Sequence, residues 1–340
     1  MGYPSIYPTG TTIYKPEKCW NGYTLFQANE HGAMLIDMNG REVHFWKDLQ
    51  GFPNKLLSNG DVLGSTGERP MAFAFQDQLD VVQVDWDGNI IWKFDHLEEV
   101  QDGDAPKRWV ARQHHDFQRE GNPVGYYVPD MESTIDSGKT LVLCHSNRMD
   151  ENISSAELLS DRIIEVDWEG NILWSWDIAD HFDEIGFSDA AKETLRERPN
   201  VHKMIKKTDW VHINCASYLG PNHWYDEGDE RFNPDNIIFD SRAANFMAII
   251  DHETGELVWK VGPDYSETEA LRELGIIIGM HHTHMIPKGL PGAGNILVFD
   301  NGGWAGYGAP NETSPTGVDV AKRDYSRVLE FDPITLKIVW

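Results

Sequence analysis

Five times along the chain an apolar run ends in Asp, a tight turn follows, and a second apolar run closes on Trp. The copies are Leu35-Ile-Asp-Met-Asn-Gly to Trp46, Val82-Gln-Val-Asp-Trp-Asp-Gly to Trp92 and Ile164-Glu-Val-Asp-Trp-Glu-Gly to Trp174. Two more follow, Ile249-Ile-Asp-His-Glu-Thr-Gly to Trp259 and Leu329-Glu-Phe-Asp-Pro to Trp340. Short apolar runs bounded by turn residues predict strands, so each copy reads as a β-hairpin. The first four turns carry Asn-Gly, Asp-Gly, Glu-Gly or Thr-Gly, which supply the positive φ of tight hairpins. The fifth, Pro333-Ile-Thr-Leu-Lys, has no glycine and is a weaker copy.

Two further strand-like runs precede each later hairpin. They are Lys55-Leu-Leu with Asp61-Val-Leu, His115-Asp-Phe-Gln with Thr140-Leu-Val-Leu-Cys, Val211-His-Ile-Asn-Cys-Ala with Asn236-Ile-Ile-Phe, and His282-Thr-His-Met-Ile with Asn295-Ile-Leu-Val-Phe. Four strands per unit, closed by Trp, is the layout of a propeller blade. The spacing of Asp37, Asp85, Asp167, Asp251 and Asp332 mostly exceeds the ~40–50 residues of an ordinary blade, which calls for insertions. The expectation is a single all-β six-bladed propeller domain over residues 1–340, with five blades visible and either a sixth missing from this sequence or an unusual closure. Insertions fall near 181–208 and 218–233. Ser188 is expected to cap a helix ending near Arg198, and Ser266 with Glu269 to make a capping box for one ending at Gly275. Gly- and Pro-rich stretches at Tyr218–Asn233 and Trp304–Pro315 read as loops.

Composition narrows function. A formal net charge of −26 argues against nucleic-acid or anionic-membrane partners, which need basic patches. No run approaches the ~20 apolar residues of a membrane helix. The start, Met1-Gly-Tyr-Pro-Ser-Ile-Tyr-Pro, lacks a basic segment followed by an apolar one, so the expected compartment is the cytoplasm, or the periplasm if a leader has been removed. Cys19, Cys144 and Cys215 fit neither a zinc site nor a redox pair and are expected to be buried free thiols.

The candidate chemistry lies on the first strands of three successive units. His115, His212 and His282 occupy equivalent places there, and neighbouring blades aim such residues into one axial mouth. Arg242, ending the second strand of the fourth unit, adds a planar fork of donors suited to an oxyanion. Asn214, two residues after His212, falls on the same strand face by the period-2 rule. His284 shares a face with His282 and competes for its role, whereas His114 and His281 are expected to face the packing between blades. Taken singly, each His is more often a hydrogen-bonded structural residue than a catalyst. A metal centre is the other reading of a His-rich mouth, but Arg242 beside a divalent cation is unfavourable, so no metal or cofactor is expected. The Asp-Gly hairpins lack the run of oxygen ligands that calcium needs.

These residues are similar to a known family, the bacterial arylsulfate sulfotransferases that work without the nucleotide sulfate donor. The resemblance rests on His114-His-Asp-Phe, Asp209-Trp-Val-His-Ile-Asn, Asp240-Ser-Arg followed by Ile-Asp-x-x-Thr-Gly-x-x-x-Trp, and His282 ahead of Gly294-Asn-Ile-Leu-Val-Phe-Asp-Asn-Gly. It implies a six-bladed propeller and ping-pong transfer of a sulfuryl group from an aryl sulfate to a phenol. His282 would then be the nucleophile, His115, His212, Asn214 and Arg242 would bind and polarise the sulfuryl group, and aromatic residues such as Trp224, Tyr225, Trp304 and Tyr307 would stack on the aryl ring. The competing readings are a non-catalytic propeller binding small anions or protein partners, and a metal-dependent hydrolase.

Overall fold

The computed structural model describes residues 11–28, 31–199 and 208–340. Five antiparallel sheets follow one another along the chain in a propeller-like ring. The first holds β1 (Tyr23–Gln27), β2 (Ala33–Asp37) and β3 (Glu42–Trp46), and the second β4 (Lys55–Leu56), β5 (Val62–Gly64), β6 (Val81–Val84) and β7 (Ile90–Phe94). A hairpin of β8 (Glu98–Val100) and β9 (Arg108–Val110) leads to the third sheet. That sheet is built from β10 (Gln113–Arg119), β11 (Thr140–Asp150), β12 (Ser154–Val166) and β13 (Ile172–Asp177), with the short β14 (Thr208–Asp209) running parallel to β12. The fourth holds β15 (Ile213–Tyr218), β16 (Ile237–Ser241), β17 (Phe246–Ile250) and β18 (Leu257–Val261). In the fifth, β19 (Met280–Met285) and β20 (Ile296–Asp300) pair with β23 (Arg327–Phe331), while β21 (Trp304–Tyr307) and β22 (Val318–Lys322) form a separate hairpin. The expected loop at 304–315 therefore begins with a strand.

Alternation along each strand sends successive side chains to opposite neighbours. In β16, Ile237 and Phe239 pack toward the third sheet while Ile238 packs toward the fifth. The apolar core is accordingly a series of inter-sheet layers. Val62, Val82 and Val84 meet Leu35 and Trp46, while Val81 and Trp92 meet Phe117 and Ile164.

The repeated hairpins behave as turns, not as ion loops. Asp37, Asp85, Asp167, Asp251 and Asp332 each accept backbone N–H groups from their own turn, as in Asn89 N to Asp85 Oδ1 at 2.8 Å and Thr335 N to Asp332 Oδ1 at 2.7 Å. Gly40, Gly88, Gly170 and Gly255 take φ between +73° and +86°. In the fifth turn Leu336 holds the same left-handed position at φ +58°, and its N–H bonds Asp332 O as Gly255 N bonds Asp251 O. The turn survives without glycine because its hydrogen bonds are unchanged.

The closing tryptophans tie each sheet to the next. Nε1 of Trp46 donates to Asp85 O at 2.9 Å, Trp92 to Trp168 O at 2.7 Å, Trp176 to Gly255 O at 2.9 Å, and Trp259 to Pro333 O at 2.8 Å. The expected third residue, Trp174, is displaced from this role by Trp176 and instead stacks on His252. Trp340 is 71% exposed.

The insertion after the third sheet carries α1 (Phe182–Ile185) and α2 (Asp189–Glu197), the latter capped by Ser188 as expected, and residues 200–207 lie outside the described part. The 218–233 insertion holds α3 (His223–Asp226). The last helix, α4 (Glu269–Leu274), is capped by Thr268 and not by Ser266, whose hydroxyl bonds Asp264. Cys144 and Cys215 are buried thiols, but Cys19 is exposed. Among the described residues no helix is long and apolar enough to cross a membrane.

Replacing Trp259 with Phe removes one inter-sheet N–H and strands a buried carbonyl, a loss of about 1–3 kcal/mol. Trp174→Phe removes no such bond. Thermal unfolding of the two variants should show a clear drop for the first and little change for the second; equal drops would remove the tryptophan bond from its inter-sheet role.

Candidate functional site

His115, His212 and His282 share a conformation that side chains rarely adopt. Their φ values are +55°, +49° and +52°. Each sits at or beside a break in register on the first strand of its sheet. Between the pairs Gln113↔Cys144 and Phe117↔Val142 the strand β10 carries extra residues, as does β15 between Ile213↔Ser241 and Cys215↔Asp240, and β19 between His281↔Phe299 and His284↔Leu297. Bulges re-aim side chains, and a non-glycine residue at positive φ persists only where its surroundings hold it there.

Buried carboxylates do the holding. The amide freed just after His212, that of Ile213, donates to Asp161 Oδ2 at 3.1 Å, and the amide after His282, that of Thr283, donates to Asp240 Oδ2 at 3.0 Å. In both cases the acid belongs to the preceding sheet and is fully buried. A third buried acid, Asp116, accepts from Ala216 N at 3.1 Å and from the Lys55 ammonium.

These bulges gather two sets of side chains. In the first, His115 and His212 meet edge to face with ring centroids 4.7 Å apart. His212 Nδ1 is hydrogen-bonded to Asp209, which the β14–β12 pairing fixes against the third sheet. His115 Nδ1 lies 3.0 Å from His114 Nδ1. Arg242, in the turn after β16, donates its backbone N–H to His212 O at 3.0 Å, and its buried Nη1 has no hydrogen-bond partner among the described residues. Asn214 donates to Met280 O at 3.3 Å, and its buried Oδ1 likewise has none. His281 joins this set instead of facing the packing, as was expected of it: its ring is half-buried and lies in the fields of Asp240, His212 and Arg242.

In the second set His282 and His284 lie 4.5 Å apart, ring to ring. His282 is in part open to solvent, although protein surrounds it closely enough to desolvate an imidazolium, and both it and His284 feel the positive charge of Lys55. His284 is buried with both nitrogens engaged, Nε2 with the Tyr126 hydroxyl at 3.0 Å and Nδ1 with His282 O at 2.8 Å. That arrangement leaves His282 as the imidazole open to a reactant. The Lys55–Asp116 ion pair links the two sets, since Asp116 follows His115 in the chain.

Burial penalises the charged imidazolium and sets the protonation of this second set. His284 is pushed down to about 3 by burial and by His282, and His282 to about 4 by burial and by Lys55. Both are neutral near pH 7. Tyr126 is pushed up to about 12 by burial and stays a phenol.

Among the described residues, other aromatic rings pack on these imidazoles. Phe52 packs on His115 at 5.7 Å and Phe75 on His212 at 5.5 Å. Trp224 is tied to Gly294 O and Tyr307 to Trp210 O, while Trp304 lies against Lys322. Lys55, Tyr126 and Asp209 also went unmarked as site residues in the sequence, although Asp209 stands three residues before its partner in the Asp-Trp-Val-His motif.

Beneath His115 lies a buried cluster. His114 and His145 stack face to face with centroids 3.6 Å apart and planes 7° from parallel, and Asp161 lies beside both. Three such residues resemble a metal-ligand set. Parallel rings this close cannot turn their in-plane lone pairs onto one ion at the ~2.0–2.1 Å of a zinc–imidazole bond without breaking the stack. A cavity of about 540 Å³ lined by Arg148, Asp180, His181, Glu184 and Lys192 includes none of the site histidines.

The family model described as Arylsulfotransferase (ASST) matches residues 130–332, more than half of the chain. No curated protein matches. A solved structure, a protein of unknown function from Bacteroides caccae, is 12% identical; the match covers 94% of this chain and 81% of that one with a TM-score of 0.44.

His282 and His284 titrate lower when folded than the ordinary 6.5. The unfolded chain therefore binds more protons between those values, and stability is lost as pH falls from about 6.5 toward 4 for His282 and toward 3 for His284. Unfolding midpoints should drop across that window, and His284→Gln should flatten the slope; an unchanged slope would mean His284 is not held neutral.

Proposed function

The chain belongs to the arylsulfotransferase family, and on that footing we propose that it moves a sulfuryl group from an aryl sulfate donor to a phenolic acceptor through a sulfated histidine. The observation that carries this reading is the placement of His115, His212 and His282 in the same strained backbone conformation on three successive first strands. Strain of that kind collects at working sites. The family's six-bladed architecture would add one further sheet to the five formed by these residues.

The nucleophile is His282. A neutral imidazole is required for attack, and burial with Lys55 nearby keeps this one neutral. In the first half-reaction its ring nitrogen forms an N–S bond as the S–O(aryl) bond breaks, and the electron pair leaves with the aryl oxygen. In the second, an acceptor phenol oxygen bonds sulfur, the N–S bond breaks, and its electron pair returns to the ring. The guanidinium of Arg242, whose buried Nη1 has no partner among the described residues, supplies hydrogen bonds to the transferring oxygens, and the Asn214 amide, one Nδ2–H of which is on Met280 O, adds its other Nδ2–H. His212, held at Nδ1 by Asp209, is suited to pass a proton to the departing phenolate and to take one from the acceptor. His115 contributes a further contact to the sulfuryl group. No metal or cofactor enters these steps.

Incubation with 4-nitrophenyl sulfate and a phenol tests the reading directly. Release of 4-nitrophenol should depend on the phenol, and mass spectrometry of the protein quenched without acceptor should find sulfate on His282. His282→Ala should lose transfer by about 10³-fold or more, and Arg242→Lys by about 10²-fold, in keeping with loss of a fixed planar donor. Wild-type transfer by the His282 variant would remove its covalent role, and the absence of any sulfated histidine in an intact protein would favour a propeller that only binds anions.

A further inference from the structure

We infer that His284 is a positioning residue for the nucleophile, oriented in turn by Tyr126. Its Nδ1–H holds the carbonyl of His282 and, with Asp240, clamps at both ends the peptide that follows that residue. The consequence for catalysis rests on the sulfuryl-transfer reading above, whereas the clamp itself does not.

The starting constraint is the peptide between His282 and Thr283. It falls in the break between the pairs His281↔Phe299 and His284↔Leu297, so its carbonyl and amide need partners other than β20. The amide, that of Thr283, donates to Asp240 Oδ2 at 3.0 Å, and the carbonyl, that of His282, lies 2.8 Å from His284 Nδ1. A carbonyl oxygen can only accept, so Nδ1 carries a proton in the neutral ring and in the cation alike. The other nitrogen, Nε2, lies 3.0 Å from the Tyr126 hydroxyl. In the neutral ring Nε2 holds a lone pair, and Tyr126 is the donor. His284 and Asp240 are both buried, which makes an unpaired partner at either end costly.

The fourth sheet solves the same problem with main chain. There the carbonyl of His212 accepts from the backbone N–H of Arg242 at 3.0 Å, while the following amide, that of Ile213, donates to Asp161. At His282 an imidazole takes the place of that backbone donor. The residues just before use the device again, since His281 Nδ1 lies 2.8 Å from Gly279 O. His282, at φ +52°, thus stands between two bonds in which an imidazole holds a carbonyl two residues back. A residue in that conformation stays there only while its neighbours hold it, and the aim of its ring follows the backbone.

Tyr126 ties this clamp to the rest of the ring. It lies on the connection between β10 and β11, in which Val124 and Val128 are buried. Lys55 of the second sheet lies against Gly125, where an added Cβ would come within 3.0 Å of Lys55 Cδ. A Cβ on Gly220, after β15, would lie 3.1 Å from Pro123 Cγ, and one on Gly289, after β19, 3.6 Å from Pro129 Cβ. The segment that orients His284 is therefore packed on the second, fourth and fifth sheets. Gly220 and Gly289 follow the C-terminal ends of their first strands, whereas Arg242 lies at the N-terminal end of β15, where Ile213 pairs with Ser241. Tyr126 meets the site from the end opposite Arg242.

Two substitutions at one position test the clamp. Asn places an amide N–H where Nδ1–H stands and keeps the bond to His282 O. Gln carries its amide to the place of Nε2, so it keeps a partner for Tyr126 and loses the carbonyl. With 4-nitrophenyl sulfate and a phenol, His284→Gln should lower kcat by about 10-fold or more with little change in KM, the scale of a misaimed reacting group. His284→Asn should keep kcat within about threefold of wild type. Equal losses in the two variants, or a loss confined to KM, would overturn the positioning role. Two measurements on the full chain need no turnover. Imidazole ¹⁵N spectra, with His284 assigned through His284→Asn, should place a proton on Nδ1, and amide exchange at Thr283 should quicken about 10-fold in His284→Gln but not in His284→Asn. A proton on Nε2 alone, or equal exchange in wild type and His284→Gln, would overturn the clamp. Should His284→Gln fold poorly, the wild-type spectrum and the kcat of His284→Asn still decide. If the wild type transfers no sulfuryl group, the proposed function fails while the spectra and exchange still test the clamp.

Discussion

The structure of the mouth depends on one recurring constraint, a backbone amide on a bulged first strand captured by a buried carboxylate of the neighbouring sheet. Ile213 N on Asp161 and Thr283 N on Asp240 are the two clear instances. The bond offsets two costs together. It satisfies an amide that the bulge removes from its ladder, and it stabilises the left-handed backbone of His212 or His282, a conformation that costs roughly 1–3 kcal/mol per residue. Because the acid and the histidine belong to different sheets, the imidazoles keep their positions only when the sheets keep theirs. The tryptophan N–H bonds at the outer hairpins serve the same end from the periphery.

Much of this was legible in the chain. The hairpin Asp and the glycine turns report local geometry, and local geometry is what residue types specify best. The inter-sheet acids were half-visible: Asp240 alternates with Ile238, and Asp161 with Ile163, so each lies on a face directed toward the next sheet. What could not be read was the bulge. A period-2 argument placed Asn214 on the face of His212, yet Asn214 is the residue that the register skips between Ile213 and Cys215. Its side chain reaches Met280 O because of that irregularity, not because of regular alternation. A separate break on β19 leaves His281 in the field of Arg242 and sets the ring of His282 beside His284. Trp174 and Trp176 were indistinguishable for a related reason: both lie on one face of β13, and only the distance to the next hairpin chooses between them.

Lys55 and Asp209 were missed because their meaning is tertiary. A lysine opening a two-residue strand carries no local signal, and its importance comes from a carboxylate 61 positions away. Asp209 sits in a motif that was noticed for its His, while its own function needs the parallel pairing of β14 with β12.

An acidic protein that handles an anion faces an apparent contradiction, and the site resolves it by occupying its acids. Asp116 is paired with Lys55, Asp209 with His212, and Asp240 accepts from both the amide and the hydroxyl of Thr283. Burial and the neighbouring Asp209 carboxylate hold Asp161 well above its ordinary pKa. None of these carboxylates is left to repel a reactant, whereas Arg242 keeps a buried Nη1 donor without a partner among the described residues. At distances of a few ångströms, in a region from which protein excludes most water, such pairings outweigh the diffuse field of −26 charges, which salt screens beyond ~8–10 Å. On the proposed sulfuryl-transfer reading, the same logic explains why His282 would benefit from being neutral. A cationic imidazole would attract sulfate but could not attack it, and the nearby Lys55 supplies the positive field without consuming the lone pair.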